Sequence, residues 1–441
     1  MARKIRSFIV LLLAALLLTG CAMPTMDELY CLPKRSNAYN DLQMVIEEEM
    51  ENLSYSAPIS GENQQTVQSA DLDGDGLDEY LLFARDDSEK PLKILIFSQL
   101  ATGYVLMDTI EGYGFAFEFV DYAQLDDRPG LEIVVGRQLS DRVARSVSVY
   151  RFTSGFSRQL MTGSYTRMVS ADFDENGLEE LLLISPGQTD ESNAVAVLYA
   201  YQDGEMHRSA ELDLSAPASS LKRASLGKLL DGGNAVFVSS GPADKTILTD
   251  ILTVEGTRVD MLEKGIVSDS LSNYYLYAED VDNDGFMELP RLLDMKPAPG
   301  TDSAAAQKLV QWYSVDSAGG RKEKLWAYYN HSDGWYLRLR KQWVSGLAVA
   351  RSEDMHTFYL WDNQESDAQK VFSIRVLTGL DREELAEQEG LYILHKNDTT
   401  IYVAELTSAA ARYEITETIL KNCFSLIRAD WNAEESEGDK K

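Results

Sequence analysis

From about Gln65 onward the chain is a succession of short apolar runs broken by Gly, Asp and Ser. "EYLLFAR", "PLKILIFSQ" and "GYVLMDTI" follow one another after Asp78. "RSVSVYRFT" and "FSRQLMTGSY" come next, then "ELLLIS", "NAVAVLYAYQDG" and "MHRSAELDLS". Runs of this length, rich in branched and aromatic residues and bounded by turn formers, predict β-strands. The period changes at both ends. In "NDLQMVIEEEMENL" the apolar Leu42, Val45, Ile46 and Met50 recur at i, i+3, i+4 spacing, which predicts a short helix. After about Val344, "GLAVARSEDMHTFYLWD", "KVFSIRVLTG", "GLYILHKN" and "TTIYVAEL" read as strands, and "DREELAEQEG" and "ITETILKNCFSLIRADW" as helices. Asp381 is placed to N-cap the first of these helices. Ile415, Ile419, Leu420, Cys423, Phe424 and Ile427 share one face of the second, so Cys423 reads as core packing. The final stretch, 433–441, is polar and predicts disorder.

The strands are punctuated by an acidic motif that occurs three times: "DLDGDGLDE" (Asp71–Glu79), "DFDENGLEE" (Asp172–Glu180) and "DVDNDGFME" (Asp280–Glu288). Successive copies start 101 and 108 residues apart, so each gap has room for two units of about fifty residues. Each gap contains a worn copy, "AQLDDRPGLEIVVG" at Ala123–Gly136 and "ASLGKLLDGGNAVFVSSG" at Ala224–Gly241. Both keep a glycine and the apolar strand after it, but lose the carboxylate set. About four strands per unit, repeated radially, is the pattern of a β-propeller blade. The predicted fold is therefore mainly β: a β-propeller of five blades over 61–343, or six or seven if segments outside the counted units complete it. A short-helix tether (21–60) precedes it and a small C-terminal α+β domain (344–432) follows.

The motif has the chemistry of a hard-cation site. Calcium takes six to eight oxygen ligands, and acids at alternate positions of a tight loop converge on one point. The glycine lets the backbone turn there. With no cation present, carboxylates so close together would repel and raise their own pKa values; the competing reading is an acidic turn that holds no ion. An EF-hand would carry a glutamate at position twelve, where this chain has Leu82, Leu183 and Arg291. The units resemble FG-GAP or VCBS-type repeats, the family that includes the integrin α-chain propeller. The resemblance covers about two-thirds of the chain. It implies that the loop joins two strands of a blade and binds calcium. It assigns Asp71, Asp73, Asp75, Glu79 and the Leu77 carbonyl to one site. Asp172, Asp174, Asn176, Glu180 and the Leu178 carbonyl form a second, and Asp280, Asp282, Asp284, Glu288 and the Phe286 carbonyl a third. Asn176 and the two worn copies, which should bind no metal, depart from the family pattern.

The first residues change the compartment. Arg3, Lys4 and Arg6 precede an apolar run from Phe8 to Leu18, which ends in "LTGC". This has the order of a secretory signal and resembles the lipobox of bacterial lipoproteins. The resemblance implies cleavage after residue 20, lipid on Cys21, and attachment to the extracytoplasmic face of a bacterial membrane. Cys31 and Cys423 could then pair in an oxidising compartment. Without the three cations of the signal the formal charge falls from −30 to −33, a surface that repels nucleic acid and suits cations.

Catalytic signatures are sparse. The four histidines, His207, His331, His356 and His395, are not at zinc-ligand spacing, and the sequence has no H-E-x-x-H, G-x-S-x-G or P-loop. The aromatic stretch Trp312, Tyr313, Trp326, Tyr328, Tyr329, Trp335, Trp343 and Trp361 reads first as packing between propeller and C-terminal domain, and otherwise as a sugar-stacking platform. The function expected is non-catalytic binding of a protein or glycan at the cell surface. A polysaccharide hydrolase or lyase and an envelope scaffold are the alternatives, because a fold alone does not choose among them.

Overall fold

The computed structural model describes residues 37–139, 145–189, 191–243, 246–269, 276–301, 307–352, 354–361 and 367–428. The expected signal segment (1–20), Cys21, Cys31 and the polar stretch 433–441 lie outside the described residues. Six antiparallel sheets follow one another in chain order. The first comprises Val67–Ala70, Glu79–Arg85, Leu92–Leu100 and Gly103–Gly112, with Ser54–Tyr55 added beside the far end of Glu79–Arg85. The second runs from Ala116–Ala123 to Phe156–Tyr165, the third from Arg167–Ala171 to Glu205–Pro217, and the fourth from Leu221–Lys228 to Arg258–Asp269. Each of these three is a four-stranded meander. The fifth holds Leu289–Asp294, Lys308–Val315, Arg321–Asn330 and Trp335–Leu339, and the sixth holds five strands between Leu347 and Leu406.

The inner strands explain their own composition. In Glu79–Arg85, Leu81, Leu82, Phe83 and Ala84 are all fully buried. Successive side chains of a strand point to opposite faces, so an unbroken apolar run means that both faces are covered. Leu81 and Phe83 pack on the second sheet with Phe117, Ile133 and Phe152. Leu82 and Ala84 point the other way, with Leu95 and Phe97, onto Leu42 and Ile46 of helix α1 (Asn37–Glu49). The same construction recurs down the chain. One apolar cluster joins the second sheet to the third, another the third to the fourth, another the fourth to the fifth, and a large one the fifth to the sixth. The far face of the sixth sheet is covered by Leu385 and Ala386 of a short helix, Arg382–Ala386. Among the described residues, no apolar cluster joins the sixth sheet to the first. The sheets form a series with a helix over each end.

The five units counted correspond to the first five sheets, and a sixth sheet, which carries no acidic loop to mark it, follows between Leu347 and Leu406. Two expectations change. The residues after Val344 do form strands and short helices, but their main core is held in common with the fifth sheet: Trp335, Leu337 and Tyr328 pack with Val349, Phe358, Phe372 and Ile374. The long C-terminal helix stops at Cys423, and Phe424–Leu426 instead pairs antiparallel with Trp335–Leu337 as the outer strand of the fifth sheet. Asp381 stands at the helix N-cap position, but its side chain accepts no capping hydrogen bond. Cys423 is half-buried against the shared core, and burial raises its thiol pKa.

Candidate metal-binding loops

The first two acidic motifs connect the first strand of their sheet to the second, and the third is closed by the Glu279–Glu288 bridge and leads into Leu289–Asp294, the first strand of the fifth sheet. In the first loop the amides of Gly74 and Gly76 donate to the two oxygens of Asp71, at 2.8 and 3.0 Å. The Leu77 amide donates to Asp75 Oδ1 at 2.8 Å, and the Leu72 amide to Glu79 Oε2 at 3.0 Å. The other two loops repeat this wiring. Asp172 accepts from Asn176 and Gly177, Asn176 Oδ1 from Leu178, and Glu180 from Phe173. Asp280 accepts from Asp284 and Gly285, Asp284 Oδ1 from Phe286, and Glu288 from Val281. The turn needs a left-handed residue at its sixth position, where Gly76, Gly177 and Gly285 have φ of 88°, 91° and 88°. A side chain there would pay the left-handed penalty.

The wiring sorts the expected ligands into two groups. Asp71, Asp73 and Glu79 bring carboxylate oxygens within 4.8 Å of one another, as do Asp172, Asp174 and Glu180, and Asp280, Asp282 and Glu288. Asp75, Asn176 and Asp284 each use Oδ1 to seat the amide two residues on. Those amides belong to Leu77, Leu178 and Phe286. The closing glutamate is the buried member of each set: Glu79 and Glu180 are 4% exposed and Glu288 is 0%. Burial disfavours the charged form. It raises Glu79 and pushes Glu180 and Glu288 up to about 7, against the hydrogen bonds that favour the anion. An all-oxygen donor set fits a hard cation and not a soft one. Oxygens on opposite sides of a calcium ion stand about 4.6–5.2 Å apart, close to the span of these triads.

The loops also hold each other. The Leu131 amide of the second sheet's loop donates to the Asp71 carbonyl at 3.1 Å, and the Glu179 amide of the third to the Gln124 carbonyl at 2.8 Å. Asn234 Nδ2 reaches the Asp172 and Phe173 carbonyls at 3.3 Å, and the Met287 amide donates to the Lys228 carbonyl at 2.9 Å. Five successive loops are thus linked hand to hand along one edge of the sheets. The approach is tight: a Cβ added to Gly74 would fall 2.3 Å from the Pro129 Cβ.

The first worn copy is less worn than its sequence implies. Glu132 is buried and accepts from the Leu125 amide at 2.9 Å, the same contact that Glu79 makes. Asp126, fully buried, fills the third position. Arg151 lies against both, its Nε 3.2 Å from Glu132 Oε1 and its Nη2 paired with Asp126. Sequence reasoning missed this because the arginine is outside the motif. It stands nineteen residues after its glutamate, as Ser98, which donates to Glu79, stands nineteen after Glu79. A second missed residue, Lys324, pairs with Asp284 and lies 3.7 Å from Glu288. The second worn copy is shorter: Ala70 pairs with Glu79, but Lys228 pairs with Asn234, so three residues and the glutamate are gone.

The aromatic stretch is mostly core. Trp312, Trp335, Trp343 and Tyr328 are at most 2% exposed, and Tyr313 and Tyr329 are buried as well. Trp326 and Trp361 are half-buried.

No family model matches the chain, and no match was found among curated proteins. Among solved structures, a protein from Lactobacillus plantarum is 12% identical, covers 66% of this chain and 80% of its own, and has a TM-score of 0.26. An exotype rhamnogalacturonan lyase is 11% identical over 75% of this chain and 80% of its own, at a TM-score of 0.30. The β-propeller domain of a Pyrococcus furiosus protease is 13% identical over 78% and 90%, at a TM-score of 0.25.

Proposed function

We propose that this protein is a lipid-anchored binding protein on the extracytoplasmic face of a bacterial membrane, and that its sheets are propeller-type blades of the FG-GAP or VCBS kind held in register by calcium. The single observation that carries the metal reading is the buried glutamate at the heart of each acidic loop. Glu79 and Glu180 are removed from water among further carboxylates, and among the described residues neither has a basic side chain at ion-pair distance. A buried anion without a counter-charge costs several kcal/mol. A divalent cation bound by Asp71, Asp73 and Glu79, and by Asp172, Asp174 and Glu180, supplies that charge. Since the loops are linked by hydrogen bonds, an ion in one also fixes the neighbouring sheet.

The ligand is a protein or a glycan. Tyr113 and Phe115, 55% and 60% exposed, stand in the connection between the first two sheets, and Ile59 is 54% exposed beside them. The Ile59 amide bonds the Phe117 carbonyl and the Phe115 amide bonds the Gln138 carbonyl, so these side chains sit on ordered backbone. Exposed aromatics on a rigid edge are suited to stacking or anchoring.

Scanning calorimetry of the mature chain with calcium and with a chelator tests the metal. A higher melting temperature in calcium is expected, and an unchanged one overturns the reading. A glycan and protein array with the same two arms tests the ligand: binding that weakens in Tyr113→Ala and Phe115→Ala is expected, whereas turnover of a bound polysaccharide would make the protein an enzyme. Cys21→Ser should release the protein from the membrane fraction, and retention with unchanged lipid labelling would remove the anchor.

A further inference from the structure

We infer that the chain itself supplies the cation in two of its loops, through Arg151 in the second sheet and Lys324 in the fifth, so that calcium is confined to the loops of the first and third sheets. The inference rests on the calcium reading above and fixes its stoichiometry at two rather than three.

The four loops that keep the closing glutamate share one frame. In each, the glutamate accepts the amide of the loop's second residue: Leu72, Leu125, Phe173 and Val281. In each, the glutamate is at most 4% exposed. The frame therefore creates the same requirement for positive charge four times. It is met in two different ways. In the second sheet, the guanidinium of Arg151 is 8% exposed and contacts both Asp126 and Glu132. Arg151 also lies over the Tyr201 ring at 5.3 Å, which fixes the guanidinium from the neighbouring sheet. In the fifth sheet, Lys324 is 9% exposed and contacts Asp284 and Glu288, with its ammonium 5.4 Å from the Phe286 ring centroid. Ser314 donates to Glu288 at 2.8 Å, as Ser98 donates to Glu79. The first and fifth loops thus match at the motif and at the serine, and differ in the lysine. In the first and third sheets, by contrast, the described residues place no ammonium or guanidinium against the glutamate.

A tethered ammonium competes with a divalent ion at very high effective concentration. It also removes one negative charge from the set that would attract the ion. The expected result is that Lys324 keeps its loop closed to calcium even though its three triad carboxylates are in place.

Isothermal titration of the mature protein with calcium chloride, with native mass spectrometry to count ions, tests this. The wild type should take up two ions. Lys324→Ala and the more conservative Lys324→Gln should each take up three. The reverse exchange, Ser98→Arg, puts an arginine where the second sheet has Arg151 and should reduce the count to one. Melting in chelator checks that each variant folds. Three ions in the wild type, or a count that Lys324→Gln and Ser98→Arg leave unchanged, overturns the inference while leaving calcium binding intact. No calcium uptake by the wild type fails the calcium reading itself.

Discussion

The loop edge of the first three sheets and the interface of the fifth and sixth solve one problem, holding sheet against sheet, with different physics. Along the loop edge, contacts run through backbone hydrogen bonds between turns whose centres are buried carboxylates. Between the last two sheets the contact is aromatic. Trp335 meets His356 edge-on at 5.3 Å, Tyr328 meets Phe358 edge-on at 5.5 Å, and Phe424 lies 5.3 Å from Tyr402. Among the buried polar side chains of this region is His356, 2% exposed, its Nδ1 2.8 Å from the Tyr328 hydroxyl and its Nε2 3.0 Å from Asn330 Nδ2. Under the proposed calcium reading the first kind of joint depends on what is dissolved in the medium; the second depends on apolar burial and on a histidine staying neutral. One molecule should therefore show two independent sensitivities, to chelator and to acid.

The largest effect should come from the aromatic joint. Trp335→Ala empties a fully buried indole site, and such truncations cost about 3–5 kcal/mol. Urea unfolding should show that loss equally with calcium and with chelator. A loss that appears only in calcium would mean the two joints are not separate.

Acid should act on the same joint. Burial lowers His356 to about 4 from the ordinary 6.5. A base whose folded pKa is depressed takes up its proton in the unfolded chain first. Its contribution is thus fully present above pH 6.5, falls as pH drops toward 4, and levels off below that. The amount lost is on the order of 3 kcal/mol. Glu132, Glu180 and Glu288, raised to about 7, contribute in the opposite direction. The check is therefore a difference: relative to His356→Gln, which keeps hydrogen-bonding capacity but cannot titrate, the wild type should lose stability as pH drops from 6.5 to 4. A difference that does not change with pH would remove His356 from the acid response and leave His331, which burial also lowers to about 4.

The smaller effect belongs to the loops. Asp73→Ala removes a triad carboxylate. It should cost up to about 2.7 kcal/mol in calcium at a hundredfold excess over Kd, and little in chelator. Asp127→Ala, in the loop filled by Arg151, changes an exposed side chain and should stay within about 0.5 kcal/mol in both conditions. Differential scanning in the two buffers compares the pair directly. Equal responses would reduce the acidic loops to turns.

The loops were legible in the sequence because their wiring is local. Position one takes the amides of the turn, position five takes the amide two on, and all of it lies within nine residues such as Asp71–Glu79. Arg151 and Lys324 were not legible, since they reach the loop from other strands of the sheet, nineteen residues on in one case. The last two sheets were harder for another reason. Ile415, Ile419, Leu420, Cys423 and Phe424 fit a helical face, and the first seven residues of "ETILKNCFSL" do form a helix. Phe424 nonetheless turns out of it to pair with Leu337 and bury its ring against Trp335. Local periodicity cannot foresee a partner strand some ninety residues away. Trp335, Phe358 and Phe372 likewise showed their apolar character in the sequence, but not which sheet each would face.

That final strand also sets an order of events during synthesis. Phe424–Leu426 completes the fifth sheet, yet it is made after all five strands of the sixth. While the chain is still emerging, Trp335–Leu339 is an open edge carrying a tryptophan destined for the interior. Unpaired edges of this kind invite pairing with other chains. The protein is most exposed to aggregation in that interval, and Phe424–Leu426 ends it by closing the edge.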